Sequence, residues 1–420
     1  MTQAITIERL GQRGEGVALV DSRPAYVPYT VPGDVIEVTG AGHSVQMQAL
    51  RTPSPDRVEP FCPYFTRCGG CATQSVALPV QLDWKRSLVV AALTHVGLEA
   101  PVEPCVDAHG EGRRRATFHA RRGPDGTMQV GFMAARSHDL VAIAHCPLFA
   151  PGLKDAVPTA RAIATVLAAT GKPLDIAVTA TRGGLDVDVR GSGPLDDALQ
   201  GALIACGKRL EVAGISNHGR PVVRFRQATI DIGDIPLDLP AGGFLQATQA
   251  GEDALARLVL APTGGAKRIA DLFSGVGTFA LRLAARAEVL AVEADAHAVS
   301  ALRTAAGAAA GLRGLRSETR DLVRRPLSRA ELASFDAVVF DPPRAGAAEQ
   351  VAELALSQVP LIVGVSCNPQ TFARDAKTLV DSGYTLERIT PVDQFRHSAH
   401  VELVGVFRRA KAKKKRKLLG

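Results

Sequence analysis

The chain has 420 residues, too many for one ordinary core, and typical domain sizes give an expectation of two or three domains. Hydrophobic residues make up 46% of it and aromatic residues 5%, which excludes whole-chain disorder and puts much of the burial on Ala, Val and Leu. The formal charge of +7 is concentrated, because residues 411 to 420 (KAKKKRKLLG) carry six positive charges and no acid, so the overall pI says little about a polyanionic partner.

No uncharged apolar run reaches bilayer length, and the N-terminal MTQAITIERLGQRGEG lacks a charged n-region and an apolar h-region. A cytoplasmic protein without membrane contact, and a monomer, is expected. Residues 1 to 52 read as five short strands, ITIERL, EGVALV, AYVPYTV, DVIEVTG and HSVQMQALR, separated by glycine turns, which suits a small OB-like barrel. A proline-rich linker follows at 53 to 60. Helical spacing of Leu82, Val89, Leu93 and Val96 predicts a helix over 78 to 97, with Lys85 and Arg86 off its apolar stripe. The region from 53 to 240 mixes strands and helices and reads as an α+β central domain.

From 241 to 410 the texture changes. RIADLF, AEVLAVEA, DAVVFD and LIVGVS alternate with Ala-rich helical stretches, and YTLERITPVD and HVELVGVFR close the series. That alternation predicts an α/β unit with a mostly parallel, doubly wound sheet, whose ligands sit beyond the carboxyl ends of its strands.

Three motifs stand at such ends. In Asp271-Leu-Phe-Ser-Gly275-Val-Gly277-Thr278 the glycines allow a tight turn and close approach of a ligand, and Glu293, ending the next strand, is placed to accept from ribose hydroxyls. A third glycine of the dinucleotide fingerprint is missing, and an acidic opening residue suits a cationic methionine group better than a pyrophosphate. S-adenosylmethionine is therefore preferred to NAD. Asp341-Pro-Pro-Arg344 offers a carboxylate on a proline-fixed turn that can orient a base edge or an amine. Amine N-methyltransferases carry a related motif that usually ends in an aromatic residue rather than an arginine. Ser366-Cys367-Asn368-Pro369 places a thiol beside a helix start, where amide dipoles favour the thiolate.

A thiol beside a cofactor motif and a base-orienting carboxylate has a use in pyrimidine chemistry. C5 of uracil is too weakly nucleophilic to attack a sulfonium methyl, but thiolate addition at C6 creates an enolate whose C5 is nucleophilic. A base must then remove the C5 proton. Glu402, in an apolar strand, fits that role, with His397 and His400 as rivals.

Cys62, Cys68 and Cys71, with Cys146 as a fourth ligand, suit a [4Fe-4S] cluster, with zinc as the competing reading; Cys105 and Cys206 read as structural. The x5-then-x2 spacing differs from that of radical S-adenosylmethionine enzymes. Arg113, Arg114 and Arg115, with Arg121 and Arg122, read as a basic patch for phosphate positioning.

Together these residues resemble the RNA (uracil-5-)-methyltransferase family, in particular its iron-sulfur-containing 23S rRNA 5-methyluridine branch. The resemblance is carried by the TRAM-like barrel, the four cysteines, GRRRA at 112 to 116, Phe244-Leu-Gln246, DLFSGVGTF, DPPRAGAA, SCNP with TFARD, and His400-Val-Glu402, and it spans nearly the whole chain. It implies Cys367 as nucleophile, Glu402 as proton acceptor, and Gln246, Phe273, Thr278, Glu293, Asp321 and Asp341 around S-adenosylmethionine. Gln394-Phe-Arg departs from a frequent aromatic-proline pattern of the family. The implied partner is RNA, ribosomal first and transfer RNA second, with the target uridine unpaired or flipped. The alternatives are an exocyclic-amine methyltransferase, which has no use for Cys367, and a non-catalytic RNA-binding or iron-sulfur sensor protein, which leaves the cofactor motif unexplained.

Overall fold

Alternating apolar and polar residues in the first 52 positions favour short strands. The computed structural model describes residues 2–40 and 45–409; the basic run at 411–420 and the first two residues of the fifth expected strand, His43 and Ser44, lie outside the described residues. Six strands form: β1 (Gln3–Thr6), β2 (Arg9–Leu10), β3 (Gly16–Val20), β4 (Arg23–Val27), β5 (Val35–Thr39) and β6 (Gln46–Thr52). They make two three-stranded sheets, β1-β5-β6 and β2-β3-β4, with Ile7, Val20, Val27, Ile36 and Val38 in one core. The segment ITIERL, expected as one strand, divides at Ile7. The Ile7 amide donates to the Asp34 carbonyl, while the Glu8 amide donates to that of Val17, so the chain changes sheets there.

Helix α1 (Leu78–His95) starts with a proline in its first turn and carries Val89 and Leu93 into the core of the C-terminal sheet. Lys85, expected off the apolar stripe and so in solvent, is fully buried instead. The short strand β7 (Val106–Asp107) leads into the central region: β8 (Arg115–Arg122), β9 (Met128–Met133), β10 (Leu140–Ala142), α2 (Ala156–Val166), β11 (Leu174–Thr181), β12 (Gly184–Arg190), α3 (Asp197–Arg209), β13 (Gly214–Asn217) and β14 (Arg220–Arg224). Its seven strands run in the order β10-β9-β8-β11-β12-β13-β14. On one face Phe118, Ile176 and Val187 pack with Ile163 of α2 and Leu203 of α3. A hairpin of β15 (Thr229–Ile232) and β16 (Ile235–Asp238) follows.

The C-terminal unit contains α4 (Gln249–Thr263), β17 (Arg268–Leu272), α5 (Ala280–Ala284), β18 (Glu288–Glu293), α6 (Ala296–Ala308), β19 (Leu315–Thr319), α7 (Arg329–Leu332), β20 (Ala337–Phe340), α8 (Ala348–Leu356), β21 (Leu361–Ser366), α9 (Pro369–Asp381), β22 (Tyr384–Asp393) and β23 (Glu402–Arg409). Its sheet has the order β19-β18-β17-β20-β21-β23-β22-β7. β17 to β21 pair in parallel, and β23 enters antiparallel to β21. The central strands are apolar on both faces because helices cover both. Ile269, Val339 and Val363 feed one core, and Ala270, Val338 and Ile362 the other. The doubly wound α/β sheet expected from the sequence is present. Its carboxyl-terminal edge collects the ends of β17, β18, β20 and β21, and the reversed β23 brings its first residue, Glu402, to that same edge.

Candidate active site

The turn after β17 is the most constrained backbone in the region. Phe273 adopts φ of 58°, a left-handed value that a bulky side chain rarely takes. Gly277 has φ of 96°, and a Cβ there would lie 2.4 Å from Leu302 Cδ1, so only glycine fits. Glu293 braces this turn: one carboxyl oxygen accepts from the Gly275 amide at 3.0 Å, and the other from the amides of Ala294 and Asp295. Asp271 is fully buried, and neither carboxyl oxygen has a well-formed hydrogen bond among the described residues, the Ala280 amide giving only partial relief. Burial pushes its pKa well up, and the neighbouring Asp341 adds to the shift. An acceptor left short in this way fits a ligand that brings its own donors and positive charge. Thr278 is half-buried in the same turn. Asp321, just beyond β19, accepts from the amides of Val323 and Arg324 and stays close to solvent.

Asp341, Cys367 and Glu402 meet one sheet position apart. Asp341 follows β20, Cys367 follows β21, and Glu402 opens β23, whose Leu403 pairs with Ser366. Burial raises the Asp341 pKa to about 7. Burial and the Asp341 charge raise that of Glu402 to about 8, against partial relief from the Gln394 side chain. The Cys367 thiol is raised too, by burial and then by Glu402 and Asp341, with Arg344 opposing. The expectation that the helix start favours the thiolate is therefore corrected. Asn368 caps α9 by accepting from the Gln370 amide, but burial first, and then the nearby Glu402 and Asp341, leave the thiol raised despite the helix start. Burial lowers the pKa of His400, and the Arg344 guanidinium lies beside its ring. His397 is buried, its pKa lowered to about 4, and its carbonyl accepts from the amides of Ala72 and Thr73.

An amide pair joins the carboxylates. Gln394 donates to Gln246 Oε1 at 2.7 Å and accepts from the Ala247 amide at 2.9 Å, and Gln246 Nε2 lies 3.4 Å from Asp341 Oδ2. Behind it, Lys85 reaches from α1 to Asp393 Oδ1 at 2.5 Å and to the carbonyls of Phe395 and His400 at 3.0 and 2.9 Å. The loop between β22 and β23, and with it Glu402, is thus anchored on a buried cation.

The geometry is matched by similarity to known proteins. The model of the tRNA (Uracil-5-)-methyltransferase family matches residues 244–411. An RNA methyltransferase of Brucella suis biovar 1 is 44% identical over 405 residues, covering 96% of this chain and 97% of that one. A 23S rRNA (uracil(1939)-C(5))-methyltransferase of Pseudomonas savastanoi pv. phaseolicola is 33% identical over 431 residues, covering 97% and 94%. The chain belongs to the RNA (uracil-5-)-methyltransferase family. The crystal structure of a Pyrococcus abyssi tRNA (uracil-54, C5)-methyltransferase with S-adenosyl-L-homocysteine superposes with a TM-score of 0.71 at 24% identity, over 96% of this chain and 99% of that one, and so shares the fold. The protein is accordingly an S-adenosylmethionine-dependent RNA methyltransferase, and among the described residues no helix is long and apolar enough to cross a membrane.

In this methyltransferase Cys62, Cys68, Cys71 and Cys146 line one small cavity of about 60 Å³, with Tyr64, Ile143 and Leu148. Burial raises the thiols of Cys68, of Cys71 to about 12 and of Cys146 to about 11. Among the described residues no three His, Cys, Asp or Glu side chains converge as a single-ion site would require. Cys105 and Cys206 lie in hydrophobic cores.

The arginine run is not one patch. Arg114 is buried against Glu252 and also donates to the Gln246 carbonyl, fastening the central region to the methyltransferase unit. Arg113 lies 5.6 Å from the Phe395 ring centroid, and Arg115 lies 4.5 Å from that of Phe244. Phe244 is 62% exposed. Sequence reasoning missed Gln394, Lys85 and the Arg115–Phe244 stack. Only Gln394 left a signal, as a departure from the family pattern.

Proposed function

We propose that the enzyme methylates C5 of a specific unpaired uridine in 23S ribosomal RNA, with Cys367 as covalent nucleophile and Glu402 as the base. The observation that carries this reading is the convergence of a thiol and two partner-poor buried carboxyls, Glu402 and Asp341, at one sheet edge. Cys367 adds to C6 and moves electron density to C5. Once C5 carries the new methyl group, Glu402 takes the C5 proton and the C6–S bond breaks, returning the thiolate. A carboxyl with pKa near 8 is basic enough for that proton. Asp341 and Gln246 sit where they can orient the uracil edge or the methionine end. Bound S-adenosylmethionine supplies the electrophilic methyl group, and Gln246, Phe273, Thr278, Glu293, Asp321 and Asp341 are the residues that would hold it. The unsatisfied Asp271 supports a cationic ligand there.

Cys62, Cys68, Cys71 and Cys146 would hold a [4Fe-4S] cluster. Buried thiols with raised pKa values are costly to ionise together, and metal binding offsets that cost. Gly70 N–H points at Cys68 Sγ from 3.4 Å, the kind of amide-to-sulfur contact that stabilises a cluster ligand. Iron and sulfide analysis of anaerobically purified protein, with Cys71→Ser as control, is expected to give cluster-level iron and sulfide lost in the variant; zinc without sulfide would overturn the assignment.

The named activity of the Pseudomonas relative favours ribosomal RNA, and that of the Pyrococcus neighbour keeps transfer RNA as the second reading. Mass spectrometry of both RNA pools from cells lacking the protein, complemented with wild type or Cys367→Ala, separates them. One ribosomal 5-methyluridine lost and restored only by wild type is expected. Unchanged 5-methyluridine in both pools would move amine methylation to the front.

A further inference from the structure

A groove of about 460 Å³ runs from the Arg115–Phe244 stack onto the polar face of the central sheet. Its floor is set by register. Arg115, Thr179, Asp186 and Gly214 lie side by side across β8, β11, β12 and β13, and Thr117, Ala177, Asp188 and Ser216 form the next row. Small side chains between charged ones leave a trough, while the apolar residues of the same strands point to the helices behind. At its rim Gly242 has φ of 69°, and a Cβ there would lie 3.1 Å from Asp188 Oδ2, so the loop that carries Phe244 closes tightly over the sheet.

The two central acids differ. Asp188 is saturated: it accepts from Ser216 Oγ, from the Gly219 amide and from Arg190. Asp186 is 5% exposed and lines the groove, yet among the described residues only Arg224 bonds to it, through one oxygen at 2.8 Å. Its second oxygen has no hydrogen-bond partner among the described residues and is not sealed from solvent, so it can be reached from the groove. Alternating acids and arginines make this face a poor track for phosphate, whereas an exposed aromatic ring under a guanidinium is a stacking platform for a base. Cys367 and Glu402 lie outside the lining, and the groove reaches their site through Ala247 and Phe395, the chain neighbours of the bonded pair Gln246 and Gln394.

We propose that this groove is a second base pocket, in which Asp186 accepts from the exocyclic amino group of an unpaired cytosine, adenine or guanine next to the target uridine. The proposal rests on the uridine reading above and adds a sequence requirement to it. Uracil, with carbonyl oxygens where these bases carry an amino group, is disfavoured in the pocket because one of them would face a carboxylate.

The test uses full-length protein, S-adenosylmethionine and a pool of RNA hairpins with one loop 5-fluorouridine and randomised neighbours. Fluorine replaces the leaving C5 proton, so the thioether adduct persists and can be isolated on a denaturing gel and sequenced. Wild type is expected to exclude uridine about tenfold at one flanking position, a discrimination that Asp186→Asn loses. Thr179→Leu, which fills the trough while keeping every charge, is expected to lower adduct yield at least about tenfold. Adducts with no flanking preference, a preference unchanged in Asp186→Asn, or full yield with Thr179→Leu would each overturn the pocket and leave the uridine chemistry standing. No adduct from any RNA would sink the uridine chemistry, and the pocket with it.

Discussion

Asp34 in the N-terminal barrel and Glu402 at the sheet edge are both buried carboxyl groups, and they are treated in opposite ways. Asp34 loses solvation on burial, but two bonds from Arg57 and the amides of Val31 and Ser54 overcome that loss and hold its pKa below the usual range. Glu402 loses solvation and gains mainly the repulsion of Asp341, so its pKa climbs to about 8. The barrel acid is a completed joint, fixing the turn that β5 leaves. The acid at the sheet edge has only partial relief from Gln394, which suits the proposed role in which a substrate completes the site.

The contrast is most exposed to failure at the chemistry. Cys367→Ala is expected to remove RNA methylation by at least about a thousandfold. Glu402→Gln should slow turnover by about 10²–10⁴-fold and leave a protein–RNA adduct on a denaturing gel, because the C5 proton then has no acceptor. Turnover at the wild-type rate in either variant would end the comparison.

Next in size is the joint. Arg57→Ala strands Asp34 and is expected to cost about 3–5 kcal/mol in urea unfolding. A loss below about 1 kcal/mol would show that the surrounding amides suffice.

The same substitution that stops the chemistry is expected to strengthen the fold. The folded-state pKa of Glu402 lies above its ordinary value of 4.5, so folding favours the protonated form. That contribution is fully present below pH 4.5 and is lost as pH rises to about 8. Glu402→Gln should therefore stabilise the free protein on the order of 3 kcal/mol at pH 7, a gain that vanishes near pH 4. Destabilisation at pH 7 would mean that Glu402 is as well partnered as Asp34.

The smallest effect is in pH dependence. Single-turnover rates should rise roughly tenfold between about pH 7 and 9 as Glu402 ionises, and keep rising above pH 9, where the raised Cys367 thiol ionises. A flat profile would place both groups outside the rate-determining step.

Much of this was legible in the sequence because each motif sits where an apolar strand stops. DLFSGVG, DPPR and SCNP each follow such a run, and a parallel sheet aligns all such endings. Glu402 was legible for another reason: a lone acid opens an otherwise apolar strand. Lys85 was not, since one lysine beside an apolar stripe reads as solvated, and its partner is 308 residues away. Nor was the saturation of Arg114 by Glu252, because consecutive arginines look alike until a sheet and a helix separate their directions. The thiolate expected of Cys367 failed similarly. The helix start is local in sequence, whereas the carboxyls that oppose it arrive from β20 and β23.

Lys85 and the edge strand β7 also set an order of events during synthesis. Both belong to the early part of the chain, yet their partners, Asp393 and β22, are made almost last. A ribosome that has delivered the barrel and central region therefore holds α1 with an unpaired ammonium and an uncovered apolar side until the final strands emerge. Such long-separation contacts are slow to form. Glu402, the proposed base, is fixed in place by that late closure, so on that proposal an incomplete nascent chain has no working base to bring to the RNA around it.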